Sequence, residues 1–246
     1  MERTGRRPKD PPVYFYAQLS KPMDKVVSWR EGRIESNSNP ERISGKNAGM
    51  AVRFKTEKDE KVMLKVAISY VSVEQARKNM LTELSGWDFE QVKQSSFSEW
   101  NDWLGRIEVE GGSREQQIKL YTDLWHALLG RHVVSDADGH YMDMTSDFPR
   151  IRQIPLGEDG KPLYNHHNFD AWWGSHWSLN ILWSMAYPEV MDNFCNTMID
   201  MYQNGGLIPR GPSGGNYTYV MIGDPAVSFF ASAYNKGIRN YDAELA

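Results

Sequence analysis

Residues 66–76 read Val66-Ala67-Ile68-Ser69-Tyr70-Val71-Ser72-Val73-Glu74-Gln75-Ala76. Before Ser72, apolar and polar residues alternate, as they do in strands whose two faces differ. After Ser72, apolar residues recur every three or four positions, which predicts a helix with Ser72 as its N-cap and Gln75 completing a capping box. The stretch therefore predicts an α+β chain in which a sheet region is followed by a helical region.

Upstream of this point, four segments carry strand signals. They are rich in β-branched and aromatic residues, and turns that contain Pro22, Gly32, Gly45 and Asp59 separate them. The predicted strands are 13–17, 26–29, 50–54 and 62–70. Because four antiparallel strands leave a face in need of a partner layer, we expect residues 1–71 to be the C-terminal part of a larger antiparallel β-sandwich.

Downstream, the pattern is mainly helical. The predicted helices are 72–86, 88–104, one that includes 118–129, 172–187, 188–205 and a last one that begins at Asp224-Pro225. The last helix is apolar nearly all round over 227–233, so we expect it to be buried on every side. A loop-rich span over 130–168 is long enough to build a site. Residues 72–112 are predicted to be a helical linker, and residues 113–246 to be part of a ring of inner and outer helices.

Composition excludes several classes of protein. A formal net charge of −4 on 246 residues gives no reason to expect a nucleic acid or an anionic membrane surface as partner. No run of 18 apolar residues is present, so no membrane span is predicted, and the first ten residues show no signal peptide. The single cysteine, Cys195, excludes an intramolecular disulfide, and its place on an apolar helical stripe predicts a buried, unreactive thiol.

The stretch 168–224 carries the strongest hint of a ligand. Aromatic residues crowd its first part, and a glycine-rich turn over 214–218 follows. Flat aromatic rings beside adaptable polar backbone suit a pocket for a sugar ring. The alternative is a tryptophan-rich core, since aromatic side chains serve mostly in packing.

Ordered motifs along most of the chain match one family. They are Val13-Tyr14-Phe15-Tyr16-Ala17, Val66-Ala67-Ile68-Ser69-Tyr70-Val71-Ser72, Gly86-Trp87-Asp88-Phe89, Leu104-Gly105-Arg106-Ile107-Glu108-Val109-Glu110-Gly111-Gly112, His126-Ala127-Leu128-Leu129, Met221-Ile222-Gly223-Asp224 and Lys236-Gly237-Ile238. With these residues the chain resembles the calcium-dependent α-mannosidases of glycoside hydrolase family 92.

The resemblance implies a fold and an activity. The fold would be an N-terminal β-sandwich, a helical linker and an (α/α)6 barrel, of which this chain would be a fragment that ends partway through the barrel. The activity would be inverting hydrolysis of terminal α-mannosyl bonds, in particular α-1,2 bonds, in mannose-containing glycans. Inversion requires two carboxyl groups about 6.5–9.5 Å apart. The resemblance places this acid and base downstream of Ala246, implies Ca²⁺ as cofactor, and implies a secreted or periplasmic location.

Five residues are candidates for substrate binding: Trp172, Trp173, Asp170, Asn216 and Thr218. Trp172 keeps a family position and would border the sugar, with plain packing as the alternative. Asp170 would bind sugar hydroxyls, with a helix N-cap as the alternative. The chain departs from the family twice. Trp172-Trp173 stands where the family has Trp-Asp, and Asn216-Tyr217-Thr218 stands where it has Asn-Glu-Thr.

Metal-binding patterns are weak in this chain. His166-His167 and His176 match no zinc signature, and Asp136 and Asp138 lack the later acidic residues of a 12-residue calcium loop. A solvated turn is therefore expected at Asp136 and Asp138, and Asp224 is expected to cap a helix.

Two further functions stay open from the sequence. A carbohydrate-binding or pseudoenzyme relative would hold a glycan in the same aromatic cleft without chemistry. A helical-barrel lyase or epimerase is the weaker alternative, because it would not carry the ordered motifs. The expected sequence downstream of Ala246 separates the first alternative from hydrolysis, since paired carboxylates there would indicate a hydrolase.

Overall fold

The computed structural model describes residues 11–35, 43–130, 132–169, 172–218 and 223–246. The chain divides into two compact units. One is Ala17–Val66, and the other comprises the residues up to Tyr16 together with Ala67–Ala246.

The small unit is built around an antiparallel sheet of order β3-β2-β4, formed by β2 (Lys25–Arg30), β3 (Arg33–Glu35) and β4 (Gly49–Arg53). β3 was not predicted. Its hairpin with β2 turns at Glu31 and Gly32, whose φ angles of 50° and 76° suit the tight turns that connect adjacent strands. A three-residue strand is too short to show a period of two, which explains the missed prediction.

β1 (Tyr14–Leu19) and β5 (Leu64–Ser69) form a second, two-stranded sheet. The expected strand-rich region is thus present, and its strands form separate small sheets. Phe15 is 63% exposed and Ile68 is 53% exposed.

Six α-helices occur among the described residues. They are α1 (Val73–Glu83), α2 (Phe89–Leu104), α3 (Arg114–Leu129), α4 (Leu179–Ala186), α5 (Pro188–Gly205) and α6 (Pro225–Asn235). Ser72 caps α1 as predicted, by accepting a hydrogen bond from the Gln75 backbone. The predicted capping box is wrong, because the Ser72 backbone N–H donates to the Ser69 hydroxyl at 3.4 Å and not to the side-chain oxygen of Gln75. The Gln75 side-chain nitrogen donates to Asp138 at 3.2 Å. A capping box does occur at α3, between Ser113 and Gln116.

Two other helix predictions need correction. The predicted single helix over 172–187 is a 3-10 helix, Trp172–Trp177, followed by α4. The last helix is not buried on every side, since Val227 is 64% exposed while Phe229 is fully buried. Asp224 occupies the N-cap position of that helix, but its side chain makes no capping hydrogen bond.

The core of the larger unit is aromatic. Phe194 on α5 stacks on Trp183 at a centroid distance of 5.5 Å and meets the edge of Trp172 at 5.2 Å. Residues of α3, α5 and α6 pack around these rings. Cys195 is fully buried beside Phe194, which confirms the predicted buried thiol.

Three short antiparallel pairs lie between the helices. β7 (His140–Asp143) pairs with β8 (Arg150–Gln153), β6 (His132–Val133) with β9 (His167–Asn168), and β10 (Pro212–Ser213) with β11 (Asn216–Tyr217). The span predicted as loops over 130–168 is therefore partly strand. None of the helices in the described ranges is long and apolar enough to cross a membrane.

Candidate functional site

The glycine-rich turn predicted over 214–218 is the tip of the hairpin β10–β11. Gly214 and Gly215 have φ angles of 58° and 72°, a left-handed conformation that glycine adopts without strain. The carbonyl oxygen of Gly215 accepts a hydrogen bond from the Met144 backbone at 2.8 Å. A Cβ at Gly215 would collide with the Met142 carbonyl oxygen, so a side chain at this position is excluded while the hairpin keeps its place.

The residues that follow these glycines are buried. Asn216 is 7% exposed and Thr218 is 5% exposed. The Asn216 side-chain oxygen accepts a hydrogen bond from the Tyr217 backbone at 2.7 Å, and the Thr218 backbone donates to the Gly211 carbonyl at 3.2 Å. Both predicted site residues therefore belong to one ordered loop.

Tyr217 occupies one of the two positions at which the chain departs from the resembled family. The Tyr217 hydroxyl donates to the Met201 carbonyl at 2.9 Å and accepts from the Leu207 backbone at 3.3 Å. This hydroxyl ties the hairpin to the end of α5. The position consequently carries a structural side chain and no carboxylate.

The two tryptophans of the 3-10 helix have opposite environments. Trp172 is fully buried and stacks on Phe229 at 4.5 Å with ring planes 9° apart. One face of its indole is thus covered by protein, a geometry that favours the packing alternative. Trp173 is 56% exposed and Trp177 is 79% exposed, so their rings are accessible. Asp170 lies outside the described residues, and its predicted role stays a prediction.

A buried ionic cluster beside the hairpin was not predicted. The Asp143 side chain is 1% exposed and pairs with Arg150 at 2.7 Å and with Arg152 at 3.5 Å. The Thr145 hydroxyl donates to the same carboxylate at 2.6 Å. No local signal in the sequence predicts this cluster, because it depends on the pairing of β7 with β8, which places Arg150 opposite Asp143.

A second group of titratable side chains extends from this cluster along α5. The Tyr164 hydroxyl donates to Asp200 at 2.7 Å, and burial raises the pKa of Asp200 to about 6, opposed by this hydrogen bond. His166 stacks on Tyr141 at 4.2 Å. Burial lowers the pKa of His166 to about 3, so its imidazole is neutral at physiological pH.

The expected solvated turn is wrong for Asp136, while the Asp138 side chain is 35% exposed. Asp136 is 5% exposed and accepts hydrogen bonds from Ser69 at 2.8 Å and Asn79 at 2.7 Å. Burial opposes ionisation of Asp138, but hydrogen bonds from His140 and then Gln75 outweigh it and lower its pKa to about 2. The two carboxylates serve as structural links between α1 and the turn before β7.

The described residues show no cluster of histidine, cysteine and acidic side chains suited to a metal ion. Within the described ranges, no group of three or more histidine, cysteine, aspartate or glutamate side chains could hold a metal ion. His166 and His167 are buried, whereas His176 is exposed and meets Trp177 edge-on at 4.9 Å. Because Ca²⁺ takes six to eight oxygen ligands, these side chains do not fit it.

The cavity beside the glycine turn is small. It measures about 10 Å³ and is lined by residues that include Tyr70, Met142, Asn168 and Gly215. Such a volume holds about one water molecule and no sugar ring. An enclosed glycan pocket is therefore not formed at this turn by the described residues alone.

Two family models match the chain in order. The glycosyl hydrolase family 92 N-terminal domain matches residues 2–69, and the glycosyl hydrolase family 92 catalytic domain matches residues 75–246. The chain therefore has the domain order of a glycoside hydrolase. The chain belongs to glycosyl hydrolase family 92.

Solved structures agree with this assignment. A family 92 α-mannosidase from Bacteroides thetaiotaomicron is 25% identical, with a TM-score of 0.79, and the match covers 95% of this chain and 30% of that one. A family 92 inverting mannosidase from Bacteroides thetaiotaomicron VPI-5482 is 23% identical, with a TM-score of 0.81, over 99% of this chain and 32% of that one. This chain therefore spans about a third of the length of these relatives. No curated protein matches it.

Proposed function

We propose that this chain is part of an α-mannosidase that hydrolyses terminal α-1,2-mannosyl bonds of glycans with inversion. The observation that carries the proposal is the ordered match of both family 92 domains along the chain. Mannosidases are also among the solved structures with the same fold. In this proposal, residues 1–71 are part of a β-sandwich, residues 72–112 are the linker, and residues 113–246 begin an (α/α)6 barrel.

The proposed contribution of this chain is to substrate binding. Trp173 has an exposed indole, and a flat aromatic face can stack on the C–H face of a mannose ring. The buried Asn216 and Thr218 would fix the loop that borders the sugar. The catalytic acid and base, about 6.5–9.5 Å apart in an inverting enzyme, would come from residues outside this chain.

Calcium and location belong to the same proposal. Ca²⁺ would be held mostly by residues outside this chain, which is consistent with the absence of a suitable cluster of histidine, cysteine and acidic side chains among the described residues. When bound, the ion would help distort the sugar ring, as the family resemblance implies. A secreted or periplasmic location would suit an enzyme that degrades external glycans.

A second candidate function is glycan binding without hydrolysis. The observation that favours it is the pair of aromatic residues where the family has carboxylates. The Tyr217 hydroxyl is already bonded to Met201 and Leu207, and Trp173 has no acidic group. Neither side chain can replace a carboxylate that accepts hydrogen bonds from sugar hydroxyls.

The test uses the full-length natural protein that contains this chain. We expect it to release mannose from α-1,2-mannobiose, and the first product seen by proton NMR to be the inverted β-anomer. A chelator of Ca²⁺ should abolish the release, and added Ca²⁺ should restore it. Binding of mannobiose measured by calorimetry, with no release of mannose, would instead support the second candidate. An α-anomeric first product would exclude inversion.

A further inference from the structure

Three segments of the larger unit contact one another. They are the glycine-rich hairpin β10–β11, the hairpin β7–β8 with the residues that follow β7, and the last turns of α5. A backbone hydrogen bond from Met144 to Gly215 at 2.8 Å joins the first two segments. The Tyr217 hydroxyl joins β10–β11 to α5 through the Met201 carbonyl at 2.9 Å.

Arg150 provides the third link, which joins the hairpin β7–β8 to α5. Its guanidinium donates to the Asn204 carbonyl at 2.8 Å, which joins β8 to the last turn of α5. A cation at this place also interacts favourably with the C-terminal end of the helix dipole. The same guanidinium is paired with the buried Asp143 at 2.7 Å, and charge-assisted bonds of this kind hold geometry better than neutral ones.

Close packing couples these bonds to the hairpin. A Cβ at Gly205 would come within 2.6 Å of the Thr145 Cβ and would also collide with the Tyr217 hydroxyl. Thr145 is itself bonded to Asp143 at 2.6 Å. A shift of Arg150 or Asp143 is therefore passed to Tyr217, because packed interiors leave no space to absorb it.

We propose that Asp143 and Arg150 are positioning residues that hold the hairpin β10–β11 where Asn216 and Thr218 border the glycan. This inference rests on the proposed function. Neither Asp143 nor Arg150 needs to touch the sugar. The ion pair acts through Thr145, Asn204 and the Tyr217 hydroxyl, and its loss allows the loop to move away from its binding geometry.

The first arm of the test measures the loop in this chain. Amide hydrogen exchange of residues 211–218 should be about tenfold faster in Arg150→Met than in the unaltered chain. Arg150→Lys, which keeps the charge, should restore part of the protection. Arg152→Met is the matched control, because Arg152 contacts the same carboxylate at 3.5 Å and, among the described residues, makes no hydrogen bond to α5. Unchanged exchange in Arg150→Met would overturn the proposal.

The second arm measures ligand binding to the full-length natural protein that contains this chain. Mannoimidazole is the probe, since one solved relative contains it. We expect its inhibition constant, and the KM for α-1,2-mannobiose, to rise about tenfold in Arg150→Met, because a displacement of about 1 Å can lower catalytic efficiency up to a hundredfold. A purely structural loss lowers the amount of active enzyme, and thus kcat, without moving either constant. Tyr217→Phe, which removes the hydroxyl bonded to Met201 and Leu207, is the alternative variant if Arg150→Met does not fold.

The outcomes separate the two proposals. Faster loop exchange with unchanged inhibition and KM would overturn the glycan-positioning role. If the unaltered protein neither binds mannoimidazole nor releases mannose, the proposed function fails, and with it the glycan part of this inference. The exchange arm then still decides whether Asp143 and Arg150 hold the hairpin.

Discussion

Asn79 on α1 donates a hydrogen bond from its side-chain nitrogen to the Asp136 carboxylate at 2.7 Å, and both side chains are buried. The Ser69 hydroxyl donates to the other oxygen of the same carboxylate at 2.8 Å. The side-chain oxygen of Asn79 (Oδ1) accepts from the Ala137 backbone N–H at 2.9 Å. One asparagine thus satisfies both a buried carboxylate and a half-buried amide of the turn before β7.

Replacing this asparagine should destabilise the chain. Asn79→Ala removes one of the two side-chain donors to the Asp136 carboxylate and leaves the Ala137 amide without its acceptor, and an unsatisfied buried polar group costs about 1–3 kcal/mol. We expect the free energy of unfolding, measured in urea, to fall by about 2–4 kcal/mol. Lys78→Ala is the control, because its ion pair with Asp138 is exposed and contributes about 0–1 kcal/mol. Equal losses in the two variants would contradict this account.

Asp200 should make stability depend on pH. Burial raises its pKa from 3.8 to about 6 in the folded chain, so the folded state binds the proton more tightly than the unfolded state. Protonation therefore stabilises the fold: this contribution is fully present below about pH 4 and is lost as the pH rises through about 6. Asp200→Asn, which imitates the protonated acid, should be more stable than the unaltered chain at pH 7.

The stabilisation expected for Asp200→Asn follows from the size of the Asp200 pKa shift. The pKa shift corresponds to about 3 kcal/mol at most, and because Asp200 is only half-buried we expect about 1–2 kcal/mol at pH 7 and none at pH 4. Urea unfolding at the two pH values measures the difference. Asp159→Asn, at an exposed carboxylate, should show no such difference. A stabilisation of Asp200→Asn that is equal at both pH values would rule out titration as its cause.

Local signals in the sequence predict the helix starts well. Ser72 and Asp88 each accept a hydrogen bond from the third residue of the helix that follows, and these bonds involve only sequence neighbours. The break between the 3-10 helix and α4 was not predictable, because residues 172–187 are mainly apolar and the packing of Trp172 on distant Phe229 is not encoded locally.

The candidate site shows the same division. The turn at Gly214 and Gly215 follows from the conformational freedom of glycine, and the sequence predicts it correctly. The Asp143–Arg150 pair depends on the register of β7 against β8, which spacing alone does not give. Burial of Asp136 depends on Ser69 and Asn79, 67 and 57 residues away, so a local pattern of acidic residues reads as a surface turn.

The hairpin tip should not tolerate a side chain. Gly215→Ala places a methyl group against the Met142 carbonyl and also requires a positive φ, so we expect a loss of at least about 3 kcal/mol in urea unfolding. Gly237→Ala is the matched control, because Gly237 has a φ of 80° with no atom within 4 Å of the added Cβ. Its loss should be about 1–2 kcal/mol, the strain of a left-handed conformation alone. Similar losses at the two glycines would show that the Met142 contact is relieved by movement of the hairpin.

The adjacent tryptophans provide a comparison of packing with surface exposure. Trp172→Ala removes a fully buried ring from between Phe229 and Phe194, and loss of a buried tryptophan costs about 3–5 kcal/mol. Trp173→Ala removes a ring that is 56% exposed, and surface changes of this kind usually alter stability by about 0.5 kcal/mol or less. Urea unfolding of both variants measures the difference.

Calorimetric binding of α-1,2-mannobiose to the full-length natural protein that contains this chain then separates the effect on stability from the effect on recognition. If Trp173 stacks on the sugar, Trp173→Ala weakens binding of α-1,2-mannobiose and leaves the free energy of unfolding unchanged. If Trp173→Ala lowers the free energy of unfolding as much as Trp172→Ala does, the exposed indole is part of a packed interface and does not stack on a sugar.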